Sequence, residues 1–125
     1  GENVNLIVQK LCADPAAAGI FGYSCLEENL NRLQGVSING VAPSYASISS
    51  FKYPGARAMF VYVKNAHLQA IPGIRQFMAE YVRETTFGPN GYLKQAGIVS
   101  SPDAARQRAA KMATSMTPMT AAGLK

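Results

Sequence analysis

No stretch of this sequence approaches the roughly 20 consecutive apolar residues that a membrane-spanning helix requires. The longest apolar runs, Ala16 to Tyr23 and Ala58 to Val63, have the length of strands. Cysteine is scarce as well. Cys12 and Cys25 stand alone, with no CxxC spacing and no second pair to complete a zinc shell. Acidic residues are few, seven against twelve Lys and Arg, and they are scattered, so no pair of carboxylates is spaced for acid/base work. GxSxG, HExxH, P-loop and GxGxxG motifs are missing, and with them the common nucleophilic, zinc-hydrolase and nucleotide-binding chemistries. No 20–50-residue repeat or low-complexity tract is visible, which argues against a solenoid. The first residues, Gly1-Glu2-Asn3-Val4, lack the basic and apolar regions of a secretory signal and contain no initiator Met. The expectation is a processed or cut product, whose export cannot be read from its start.

What is present is enough to fold. The chain has 125 residues, about one domain, and is 48% hydrophobic but only 15% charged, which does not suit a disordered tail. The formal charge is +5, and its placement is uneven. From Thr85 onward Lys94, Arg106, Arg108, Lys111 and Lys125 face Asp103 alone, so +4 of the +5 falls in the last 41 residues. A basic face for nucleic acid or anionic lipid is one reading; a solvated helix face is the simpler one. No five like charges run together and no aromatics interleave for base stacking, so nucleic acid is not an expected partner.

Val4, Ile7, Val8 and Leu11 recur at helical spacing and predict a helix from Asn3 to Cys12, stopped by Asp14-Pro15. Ala16 to Tyr23 shows no polar face and predicts a strand buried on both sides. Ser24 with Glu27 predicts a capping box that opens a helix from Cys25 to Leu33, with Leu26, Leu30 and Leu33 inward and Gly35 past its end. Val36-Ser37-Ile38 alternates briefly before the turn-forming Asn39-Gly40, and Pro43 introduces a short helix to Ser50. Arg57 to Lys64, aromatic and β-branched with charges at its ends, predicts a second central strand. The helical pattern resumes at Ile71, with Ile74, Phe77, Met78, Tyr81 and Val82 on one stripe. Tyr92 to Ala96 makes one helical turn, with Gly97 closing it. Ser101-Pro102-Asp103 starts a last helix that turns Ala105, Ala109, Met112 and Met116 inward and Arg106, Arg108 and Lys111 largely to solvent. The residues after Pro118 are expected to fray. Alternation of strands and helices favours an α/β layered fold. Two strong strands and one short one are fewer than a sheet of average size holds. The expectation is that the missing neighbours come from sequence upstream of Gly1 or from a second copy of the chain.

Chemistry-bearing constellations are sparse. A bond between Cys12 and Cys25 would close a loop of about 14 residues, worth about 3 kcal/mol in the chain-entropy model; two small buried apolar residues are the alternative. His67 follows a strand-like segment, where α/β proteins place ligands. Within forty residues it finds Glu80 and Glu84 on the next helix and no nucleophile, which favours a surface or capping histidine. Glu27-Glu28 complements a helix N-terminus. The late aromatic and methionine stripes read as core. No metal, cofactor or enzymatic activity is expected.

Three strings occur in one order and at one spacing: Ala13-Asp14-Pro15-Ala16-Ala17-Ala18-Gly19-Ile20-Phe21-Gly22-Tyr23, then Val36-Ser37-Ile38-Asn39-Gly40-Val41-Ala42-Pro43, then Phe51-Lys52-Tyr53-Pro54-Gly55-Ala56-Arg57-Ala58-Met59-Phe60-Val61-Tyr62-Val63-Lys64. With the helix from Ile71 to Thr85 and the Gly88-Pro89-Asn90-Gly91-Tyr92-Leu93 turn, this order resembles the C-terminal part of the periplasmic phosphate-binding proteins that serve bacterial phosphate ABC transporters. The resemblance implies an α/β fold, the C-terminal portion of a type II periplasmic-binding-protein fold with a mixed sheet flanked by helices. Residues 1–35 would finish the second lobe, and residues 36–125 would form the crossover and complete the first. It also implies inorganic phosphate as ligand, an ABC transporter permease as partner and a periplasmic location. The family's phosphate contacts, early backbone amides and hydroxyls, an Asp, an Arg and a Ser-Gly-Thr segment, have no match after Gly1, so no phosphate-binding residue is carried over.

The leading expectation is therefore a piece of a solute-binding protein that captures phosphate for uptake. A small basic interaction or nucleic-acid-binding module using the last helix is the alternative, separable by the salt dependence of its binding. A phosphatase on the same scaffold lacks a nucleophile and a base.

Overall fold

A computed structural model describes residues 3–120 and divides them between two compact units. One comprises Gly1–Ala56 with Gln95–Val99, the other Arg57–Lys94 with Ser100–Lys125.

In the first unit, α1 (Val4–Ala13) is opened by Asn3, whose side chain accepts from the Asn5 amide at 3.1 Å, and Val8 is its buried residue. Ile7 and Leu11 of α1 lie against the backbone at Gly19, where an added Cβ would come 2.9 Å from a Leu11 methyl. Glycine is required there by close approach. The second helix, α2 (Tyr23–Glu28), buries Leu26 but is shorter than expected and capped differently. Gly22 is its N-cap with no side-chain bond, so the Ser24–Glu27 capping box does not form. Ser24 instead packs against Gly97, which has φ +83° and no room for a side chain. The early end of α2 also has a local cause. The Asn29 side-chain amide donates to the Cys25 carbonyl at 2.8 Å, competing with continuation of the helix. Leu30, expected inside, is 64% exposed.

The Asn39-Gly40 turn forms as its sequence implies. Both residues have positive φ, 51° and 77°, and the Ile38 and Val41 amides each donate to the other's carbonyl at 3.0 Å. The short helix α3 (Tyr45–Ser49) opens on Ser44, whose hydroxyl accepts from the Ser47 amide at 3.1 Å while the Ser47 hydroxyl accepts from the Ser44 amide at 2.9 Å.

In the second unit, a single 3-10 turn (Asn65–His67) precedes α4 (Ile74–Tyr81). This helix starts later than Ile71 because Gly73 takes a left-handed conformation, φ 91°, at its N-cap. It packs against α5 (Glu84–Phe87) and α6 (Asp103–Ser115), and α5 packs against a second 3-10 turn, Tyr92–Lys94. Met78 is the buried apolar residue of α4.

Two expectations are corrected. The α/β fold with a mixed sheet does not form: among the described residues there is no strand, and the Ile38–Val41 bridge is isolated. Residues 17–22 and 57–64 run without helix, turn or bend, yet neither is paired. Ile20 is 97% exposed, and Met59, Phe60 and Tyr62 are 74%, 55% and 67% exposed. Strand propensity describes how a residue fits a pleated surface already furnished with neighbours, and without a neighbouring ladder it cannot make a strand. The second correction concerns α6. Arg106, expected in solvent, is buried at 8% exposure, while Ala109 and Met112 face outward. An ion pair, not apolar periodicity, sets the inward face of this helix. The frayed end expected after Pro118 lies in part outside the described residues.

Candidate functional site

The Arg106 guanidinium is the most connected polar group of the second unit. Its Nε donates to both Glu84 carboxylate oxygens at 2.9 and 3.2 Å, its Nη1 to the Ser101 carbonyl at 2.6 Å, and its Nη2 to Asp103 at 3.2 Å. The side chain of Arg106 is 10% exposed and that of Glu84 59%. The carboxylate therefore keeps most of its water while the guanidinium exchanges its own for fixed acceptors. Close by in sequence, Glu80 accepts from Arg83 at 2.8 Å and from the fully buried Thr86 hydroxyl at 3.1 Å. The Arg83 hydrogen bond, followed by that of Thr86, holds the Glu80 carboxyl below its ordinary range. These cations are engaged by protein carboxylates in a structural clamp that joins α4, α5 and α6.

A shallow groove of about 510 Å³ lies between Val61–Lys64 and the start of α4, with Ile74, Phe77 and Met78 on the helix side. Its lining is apolar except near Lys64 and His67. His67 is exposed and belongs to a 3-10 turn, where its amide donates to the Lys64 carbonyl at 2.9 Å. Its turn and exposure fit the surface reading of the sequence. Dehydrated phosphate needs converging N–H donors and a bidentate arginine, and a groove walled by Val61, Tyr62 and Phe77 does not offer them.

Cys12 is exposed and Cys25 half-buried, both as free thiols. Among the described residues no three His, Cys, Asp or Glu side chains cluster to hold a metal ion, and no helix is long and apolar enough to cross a membrane. Sequence reasoning missed the part played by Arg106. Its main partner Glu84 lies 22 residues away, beyond any local spacing signal.

Comparison with known proteins gives a consistent result. The chain is 28% identical over 106 residues to a phosphate-binding protein PstS of Staphylococcus haemolyticus, covering 81% of this chain and 32% of the relative. It is 31% identical over 105 residues to the protein SphX of Synechococcus elongatus, covering 79% and 28%. A phosphate-binding protein PstS of Staphylococcus epidermidis is 28% identical over 105 residues, covering 80% and 31%. The chain thus spans about a third of the length of the curated relatives it matches. No family model and no solved structure matches it. Over about four fifths of its length the chain is similar to phosphate-binding proteins.

Proposed function

We propose that this chain is part of a solute-binding protein that captures inorganic phosphate outside the cytoplasmic membrane and delivers it to an ABC transporter permease. The observation that carries the reading is the similarity over about four fifths of the chain to relatives named for phosphate binding. The unpaired apolar segments at residues 17–22 and 57–64 support the view that further polypeptide completes the fold. In this reading the phosphate-gripping groups lie on that further polypeptide, and this chain contributes framework, not ligand contacts. The nucleic-acid alternative is weakened by Arg106, since burying it leaves Arg108 and Lys111 as the exposed basic residues of α6.

The test is a calorimetric titration with inorganic phosphate, run on the 125-residue chain alone and on the chain carried in a full-length protein of its relatives' size. The expected result is micromolar or tighter binding by the full-length protein and none by the isolated chain. Micromolar affinity in the isolated chain would refute the assignment of ligand contacts, and no binding in either would refute the phosphate reading.

A further inference from the structure

The formal charge is divided unequally between the two units. The second holds nine of the twelve Lys and Arg but three of the seven Asp and Glu, a net +6 that leaves the first at −1. Its three carboxylates are already committed, Glu80 to Arg83, and Glu84 and Asp103 to Arg106. Arg57, Lys64, Arg75, Arg108 and Lys111 are exposed and form no ion pair among the described residues. These cations are left to water or to a partner of opposite sign.

Three of them gather around α6. Arg108 and Lys111 stand with Met112 and Ser115 at i, i+3, i+4 and i+7, which puts all four on one face of the helix. That face turns away from the unit: Arg106, Ala110 and Ala113 on the opposite side are buried or half-buried, while Met112 is 50% exposed. Lys64 joins it at the end of the helix, because the side-chain amide of the adjacent Asn65 donates to the Met116 carbonyl at 3.0 Å, one turn beyond Met112. The outward face carries no carboxylate and no aromatic ring. Nucleic acid offers a thioether nothing, and bases would find no ring on which to stack. An anionic bilayer, charged in its outer layer and apolar just beneath, matches cations set beside an exposed methionine.

We propose that the outward face of α6, with Lys64 at its end, docks on an anionic lipid bilayer. Lys64, Arg108 and Lys111 pair with lipid headgroups, and Met112 enters the boundary between headgroups and acyl chains. Binding is peripheral and reversible, because three cations and one apolar side chain fall short of what a stable anchor requires. The inference uses neither affinity for free phosphate nor an added strand, so it stands or falls separately from the function proposed above.

The test is co-sedimentation of the full 125-residue chain with vesicles of phosphatidylcholine alone and of phosphatidylcholine mixed with phosphatidylglycerol. The expected result is binding to the mixed vesicles and none to the neutral ones, lost as added salt shortens the Debye length. Arg108→Gln with Lys111→Gln alters exposed side chains and should keep the helical circular dichroism. Each cation near such a surface contributes about fivefold, so this variant should bind the mixed vesicles roughly thirtyfold more weakly. Met112→Gln leaves the charge unchanged; it should weaken vesicle binding severalfold without altering retention on heparin. Equal binding to both vesicles, binding to neither, an undiminished double variant, or tighter binding to a single-stranded oligonucleotide than to the mixed vesicles would overturn the proposal.

Discussion

At the scale of single residues, polar geometry does more than size. Arg106 is the clearest case, because a buried guanidinium here satisfies two carboxylates and a carbonyl from three parts of one unit. Removing a buried charge's partner is severe when it strands the other charge in the interior, on the order of 3–5 kcal/mol. Glu84 and Asp103 are 59% and 69% exposed, so both would rehydrate after such a change. Arg106→Ala should therefore cost less, about 1–3 kcal/mol, most of it lost packing and hydrogen bonding. Urea denaturation of variant and parent measures this, and a loss below a few tenths of a kcal/mol would contradict the clamp. Of these contacts, only that with Asp103, three residues away, was legible from α6 alone. The small and methionine residues of that helix recur at apolar spacing, and a helical stripe cannot report a carboxylate 22 residues away.

At the scale of elements, local signals worked where the controlling interaction is local. The helix at Val4–Ala13, the Asn39-Gly40 turn and the helix at Tyr45–Ser49 each rest on neighbours within a few residues. The cap of the Tyr45–Ser49 helix gives a direct check. Ser44→Ala removes the hydroxyl that holds the Ser47 amide and should cost about 0.5–2 kcal/mol, by the same denaturation measurement. An unchanged midpoint would show that tertiary contacts hold this turn without its cap. The helix after Gly22 failed the local reading for an equally specific reason. Asn29 takes the Cys25 carbonyl that a longer helix would use, and Ser24 is committed to packing at Gly97.

At the scale of the whole molecule, apolar material is abundant and little of it is buried. Val8, Leu26 and Met78 are the buried apolar residues among those described, whereas Ile20, Met59, Phe60, Tyr62 and Phe77 are mostly exposed. Apolar side chains left this exposed remain free to bind apolar molecules. The isolated chain should therefore bind a hydrophobic reporter dye strongly in native buffer, and completion by a longer polypeptide should cut the dye fluorescence severalfold. A dark isolated chain would mean that these residues find cover on their own. The sequence by itself determined the turns, three of the helix positions and the likeness to phosphate-binding proteins, because each is written in neighbouring residues or in the order of short motifs. Tertiary structure alone decided whether the two apolar runs become strands and which face of α6 turns inward. A ladder needs a second backbone and a buried ion pair needs a distant carboxylate, and neither requirement is visible in the segment that depends on it.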